Sequence, residues 1–104
     1  MNIEVLANYI TVCDSGSINK AARLLHISQP PLSRQIQNLE NELGSKLFDR
    51  SNSGIKLTPE GRILYERAKS IIALSDLISR EIKICTHIIR FGMTTSSVNY
   101  VGNI

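Results

Sequence analysis

After Gly61 the chain contains neither glycine nor proline until Gly92, and within that stretch Leu64, Ala68, Ile71, Ser75, Ile78, Ile82 and Cys85 recur alternately four and three residues apart. This is the spacing of a heptad seam on an α-helix, and Leu74, Leu77 and Ile84 widen it. Thr58-Pro59-Glu60 supplies the start: a threonine outside, a proline at the first helical position and an acid in the first turn to suit the helix dipole. A helix from Pro59 to about Thr86 is roughly 40 Å long at about 1.5 Å per residue. A chain of 104 residues has too small a core to cover the far end of such a helix. The seam therefore needs a partner, most simply a second copy of the chain.

The residues before it divide into short elements. Leu6, Tyr9, Ile10 and Cys13 fall at helical spacing, which predicts a first helix from about Ile3 to Asp14, ended by Ser15-Gly16. Ser17 is a good cap for a second helix whose inward stripe is Ile18, Ala21, Ala22 and Leu25, with a brief turn at His26 and Ile27. A proline cannot donate to the carbonyl four residues back, so Pro31 lies no deeper than the third position of the next helix, and Ser28 is its earliest reasonable cap. Leu32, Ile36, Leu39 and Leu43 form its apolar stripe and Gly44 its stop. Leu47 to Arg50 and Ile55 to Leu57 flank Ser51-Asn52-Ser53-Gly54, which predicts a β-hairpin. Ile88 to Gly92 reads as a single strand and Thr94 to Ile104 as polar loop.

Two short helices joined by a three-residue turn, the second with polar side chains beside its apolar stripe, is the layout that sets a recognition helix in a DNA major groove. With Ile36 at the middle of the buried face, Gln29, Ser33 and Gln37 lie one turn apart on a flank, and Pro30 and Arg34 adjoin them. Glutamine pairs with adenine, arginine with guanine or a phosphate, serine with either base type, and Pro30 offers an apolar contact suited to a thymine methyl. Pro30 and Pro31 remove amides that the Ser28 hydroxyl would normally cap, which leaves it available for a phosphate. On helical pattern alone these side chains could equally be a solvated face.

The net charge of +3 and pI near 9.1 permit nucleic-acid binding without establishing it. The distribution says more. From Ser15 to Leu39 the charged side chains are Lys20, Arg23 and Arg34, with no acid among them. Lys20 and Arg23 read equally as solvated charges and as phosphate contacts. Cys13 and Cys85 stand far apart with no second pair, and His26 and His87 are isolated, so no metal site and no cofactor are expected. Neither a nucleophile with a base nor a glycine-rich phosphate loop is present, which argues against an enzyme. No apolar run approaches the roughly 18 residues of a membrane span, and the N-terminus lacks a secretory signal, so the cytoplasm is expected.

As a set, Gly16-Ser17, Ala21-Ala22, Leu24 to Ile36, Leu39-Glu40, Leu43-Gly44, Leu47 to Arg50 and Leu57 to Gly61 resemble the signature of LysR-type transcriptional regulators. The resemblance runs from about Ile3 to Glu81. It implies a mainly α fold: a winged helix-turn-helix of three helices plus a two-stranded wing over residues 1–58, then a long dimerisation helix over 59–87. Residues 88–104 would be a remnant of the first strand and loop of an effector-binding domain that is otherwise missing.

The implied function is sequence-specific binding of an interrupted palindrome in double-stranded DNA by a homodimer, with a small-molecule effector only where the missing domain is present. Carried over by position, Gln29, Pro30, Ser33 and Arg34 would meet bases, with Ser28 and Gln37 beside them. Arg50 and the hairpin tip would approach phosphates or the minor groove. Many members have an arginine where this chain has Ser53, so wing readout is expected to be weaker here or to pass to Lys56 or Arg50. Leu64, Ala68, Ile71, Ser75, Ile78 and Ile82 would form the dimer seam. Two other readings compete: an interaction protein that forms mixed dimers with a full-length relative, and a nonspecific architectural DNA binder.

Overall fold

In the computed structural model, which describes residues 1–51 and 54–90, helix α1 (Ile3–Ser15) starts where the Asn2 side chain accepts from the Val5 amide at 2.9 Å. It stops at Gly16 and a later helix stops at Gly44; both glycines are left-handed, at φ 75° and 69°, and each turns its N–H back onto the helix it ends. Helix α2 (Ile18–Leu24) is capped by Ser17, whose hydroxyl accepts from the Lys20 amide. Helix α3 (Gln29–Leu43) follows Ser28, and the Ser28 hydroxyl makes no capping bond, as two prolines in the first turn dictate. Between α2 and α3 the backbone reverses at His26, whose φ of 58° is left-handed.

Strands β1 (Phe48–Ser51) and β2 (Gly54–Leu57) pair antiparallel in the register Phe48 with Leu57, Asp49 with Lys56 and Arg50 with Ile55. Helix α4 (Pro59–Arg90) begins at Thr58, whose hydroxyl accepts from the Gly61 amide and donates to the Lys46 carbonyl. The fold is thus mainly helical with a two-stranded wing, a winged helix-turn-helix followed by a long helix.

The chain divides into two units, the first Met1–Ile72 and the second starting at Ala73. In the first, Tyr9, Val12, Ile18, Ala21, Ala22, Leu32, Ile36, Leu39, Leu47 and Phe48 form the core, and the Tyr9 and Phe48 rings lie 5.4 Å apart. The periodic apolar positions of three helices and the first strand thereby meet in one place, which removes them from water and holds α3 against α1 and α2.

Two expectations are corrected. Leu43 is 41% exposed, so the buried stripe of α3 ends at Leu39 and the last turn lies at the rim of the core. Ile88, Ile89 and Arg90 belong to α4 rather than to a strand. A strand needs a neighbour to take its N–H and C=O groups, whereas a helix satisfies them within the segment, and the wing is the only sheet among the described residues. Phe91, Gly92 and the polar tail lie outside the described residues, as does Ser53.

Candidate nucleic-acid interface

The apolar side of α3 is committed to the core, so its remaining polar side chains are what it can offer to a partner. Gln29, Pro30, Arg34 and Gln37 are exposed and Ser33 is half-buried. Ser28, just outside the helix, is exposed as well. Ser33, Gln37 and Glu40 line a cleft of about 390 Å³ together with Lys46 and with Phe48, Asp49 and Arg50 of the wing. Gln29 lines a smaller cleft of about 210 Å³ with Arg50, Ile55, Ser17 and Asn19. Arg50 therefore lines both, so the wing and α3 border the two clefts together.

The pairing register accounts for the position of Arg50, although Asp49 of the opposite face lines the larger cleft as well. Phe48 and Arg50 alternate to one face of β1, opposite Leu57 and Ile55, so burying Phe48 carries Arg50 toward α3. Lys56 pairs with Asp49 across the other face and lines neither cleft. Among the described residues Lys20, Arg23, Arg34, Lys46, Arg50 and Lys56 have no carboxylate within ion-pair distance; the ion pair there is the N-terminal ammonium with Glu42 at 2.8 Å. Unpaired cations on such a surface are available to phosphates.

Lys46 and Asn19 were not anticipated as site residues. Both stand outside the helical stripe pattern, and only the packing of the loop after α3 and the start of α2 against the wing brings them to the clefts. A second feature hidden from the sequence is how α3 is tied down. The Glu40 carboxylate accepts from the Leu47 amide at 2.7 Å, and the Asn8 side chain donates to the Gln35 side chain at 2.8 Å.

The residues expected to form a dimer seam separate into two groups. Leu64 packs against the core and Ala68 is 0% exposed, so both are already covered within the chain. Ile71, Ile78 and Ile82 are exposed, Ile78 at 55%, and Ser75 is half-buried. The apolar surface left over thus starts at Ile71. Cys13 and Cys85 are both free thiols. Burial pushes the Cys13 thiol up to about 11 and raises the neighbouring Tyr9 hydroxyl in the same direction. No cluster of histidine, cysteine or carboxylate side chains suited to a metal ion exists among the described residues, and none of their helices is long and apolar enough to cross a membrane.

Residues 3–62 match the model of the bacterial regulatory helix-turn-helix protein, lysR family. The HTH-type transcriptional regulator TfdT of Cupriavidus pinatubonensis is 42% identical over 80 residues, which are 77% of this chain and 35% of TfdT. This chain therefore corresponds to about a third of that relative's length. Among solved structures, the crystal structure of a BenM_DBD/catB site 1 DNA complex superposes with a TM-score of 0.79 at 41% identity, covering 83% of this chain and 97% of that one. A CbnR_DBD–DNA complex gives a TM-score of 0.79 at 37% identity, covering 83% and 99%.

Proposed function

Because the chain belongs to the LysR family of bacterial regulatory helix-turn-helix proteins, we propose that it is a sequence-specific transcriptional regulator, or the DNA-binding portion of one, that acts in the cytoplasm. The observation that carries this reading is one cleft lined both by Ser33 and Gln37 of the polar flank of α3 and by Arg50 of the wing. Ser33, Gln37, Gln29 and Arg34 have the donors and acceptors that major-groove base edges require. Pro30 adds the apolar contact. Ser28, Arg50 and Lys56 supply phosphate contacts that set the register of the protein on the duplex.

The active species is a homodimer joined through α4, with Ile71, Ser75, Ile78 and Ile82 at the seam. Each of these isoleucines is about half exposed and gains roughly 1 kcal/mol from complete burial, so the whole seam rather than one residue brings two copies together. Two-fold symmetry then presents two recognition helices to two half-sites, which makes an interrupted palindrome the natural target. A small-molecule effector acts only where an effector-binding domain is joined to this one.

The test is selection of bound duplexes from a random pool, followed by affinity measurements on the consensus at two salt concentrations. A two-fold symmetric consensus bound by a dimer, with affinity falling steeply as salt rises, supports the reading. Substituting Gln29 or Ser33 with alanine should then relax preference at particular base pairs by about 1–3 kcal/mol. Binding without any consensus would make the protein an architectural DNA binder, and a chain that pairs only with a longer relative would make it a partner in mixed dimers.

A further inference from the structure

We propose that the Asn8–Gln35 side-chain pair sets the rotation of α3 about its own axis and so determines which of its side chains meet the bases. The proposal rests on the DNA-reading function above. Asn8 is only 8% exposed on α1, and its amide nitrogen donates to Oε1 of Gln35, 27 residues away, at 2.8 Å. Among the described residues it is the one side chain–side chain hydrogen bond between α3 and another helix.

The geometry follows from the helical repeat. At about 100° per residue, Leu32 and Leu39 lie about 40° and 60° from Ile36 on one side, with Gln35 about 100° round on that same side. Ser33 and Gln37 lie about 60° and 100° round on the opposite side. The apolar stripe holds α3 onto the core, but apolar contact is non-directional and by itself demands no single atom-to-atom geometry. A roll of about 20° at a side-chain radius of about 5–6 Å displaces each side-chain end by about 2 Å. Such a shift breaks a hydrogen bond of 2.8 Å and displaces Ser33 and Gln37 by the same amount, which a two-point contact with a base edge does not tolerate.

Two other polar ties on α3 have different tasks. The N-terminal ammonium pairs with Glu42 at 2.8 Å, but that contact is exposed at the last turn of the helix, and an exposed ion pair fixes little. Glu40 accepts from the Leu47 amide seven residues on, so it joins the helix to the start of the wing and leaves their common orientation on α1 unset. Asn8 and Gln35 provide that missing reference. A part-buried side-chain hydrogen bond demands one distance and direction, so it favours a single arrangement of the two helices.

The experiment uses the whole 104-residue chain and two duplexes: the consensus that the unaltered chain selects from a random pool, and a shuffled version. The readout is the ratio of the two affinities, with the thermal midpoint measured alongside. Asn8→Leu and Gln35→Met should each lower the ratio about five- to tenfold, the effect of one hydrogen bond on a poised geometry, with affinity for the shuffled duplex unchanged. The double variant should be no worse than either single variant, since both remove the same bond. Gln35→Glu keeps an acceptor for Asn8 and should keep the ratio, although its charge weakens binding to both duplexes.

A ratio unchanged in Gln35→Met overturns the proposal. So does a double variant that loses the product of the single effects, which would make Gln35 a base contact in its own right. Loss on both duplexes in step with the thermal midpoint also overturns it, because the pair would then only support the fold. If the unaltered chain selects no consensus, the DNA-reading function itself fails and the pair has nothing to orient.

Discussion

The buried hydroxyl of Tyr9 donates a 2.7 Å hydrogen bond to the carbonyl of Gly61, joining α1 to the first turn of α4. The backbone of Gly61 lies so close to the Leu47 carbonyl that a Cβ there would stand 2.1 Å from its oxygen. Glycine is required at this position for space. Gly61→Ala should therefore destabilise the domain by about 3 kcal/mol, since the Leu47 carbonyl is backbone and cannot swing aside. Tyr9→Phe keeps the ring contact with Phe48 and should cost about 1 kcal/mol. Urea unfolding of the two variants measures both, and a neutral Gly61→Ala would mean that α4 can shift along the wing.

The two halves of the expected seam should respond differently to charge. Ile78 is 55% exposed, so Ile78→Asp should leave the thermal midpoint of the winged domain unchanged while turning dimers into monomers in sedimentation. Ala68 is 0% exposed, so Ala68→Asp should unfold the domain by burying an unpaired carboxylate, at a cost of roughly 3 kcal/mol or more. A well-folded Ala68→Asp chain that had lost only its dimer would return Ala68 to the interface.

His26 takes a left-handed conformation, φ 58°, in the turn before the recognition helix. A β-branched residue cannot adopt it without strain, so His26→Val should cost about 1–2 kcal/mol. His26→Gly should be neutral or stabilising by up to about 1 kcal/mol, because glycine reaches this region freely. Thermal midpoints decide it, and equal stability of the Val and Gly variants would show that the turn adopts another form.

Alkali should weaken the fold through Cys13 and Tyr9. Burial raises the Cys13 thiol from 9.0 to about 11 and moves the Tyr9 hydroxyl upward too. The folded chain holds these protons more tightly than the unfolded chain, so the stability from Cys13 is complete below pH 9 and lost as pH rises through about 11, while that from Tyr9 is lost at still higher pH. Urea midpoints should fall across that window, less so in Cys13→Ala. A Cys13 side chain that reacts with iodoacetamide at pH 8 as fast as a free thiol would contradict the burial argument.

Much of the architecture could be read from local chemistry. Ser17 as a cap, Gly44 as a stop, Ser28 deprived of its capping amides by Pro30 and Pro31, and Thr58-Pro59-Glu60 as a helix start all operate over a few residues, because they concern backbone groups satisfied nearby. The polar flank of α3 was legible for the same reason, as the complement of a buried stripe.

Only the tertiary structure decided the rest. Ala68 and Ile82 occupy equivalent heptad positions in the sequence, yet one is sealed within its own chain and the other is bare. Leu43 continues the stripe of Leu39 but reaches past the core. Ile88 and Ile89 favour a strand by composition and are helical, where their backbone groups are satisfied within α4; among the described residues the wing is the only sheet. The Asn8–Gln35 pair and the convergence of Arg50 and Lys46 on Ser33 and Gln37 join residues distant along the chain. Local signals determine which segments form helices and where they end, because their hydrogen bonds close within a turn. Which faces are covered, and which polar groups meet, depends on how those segments pack, and no local spacing encodes that.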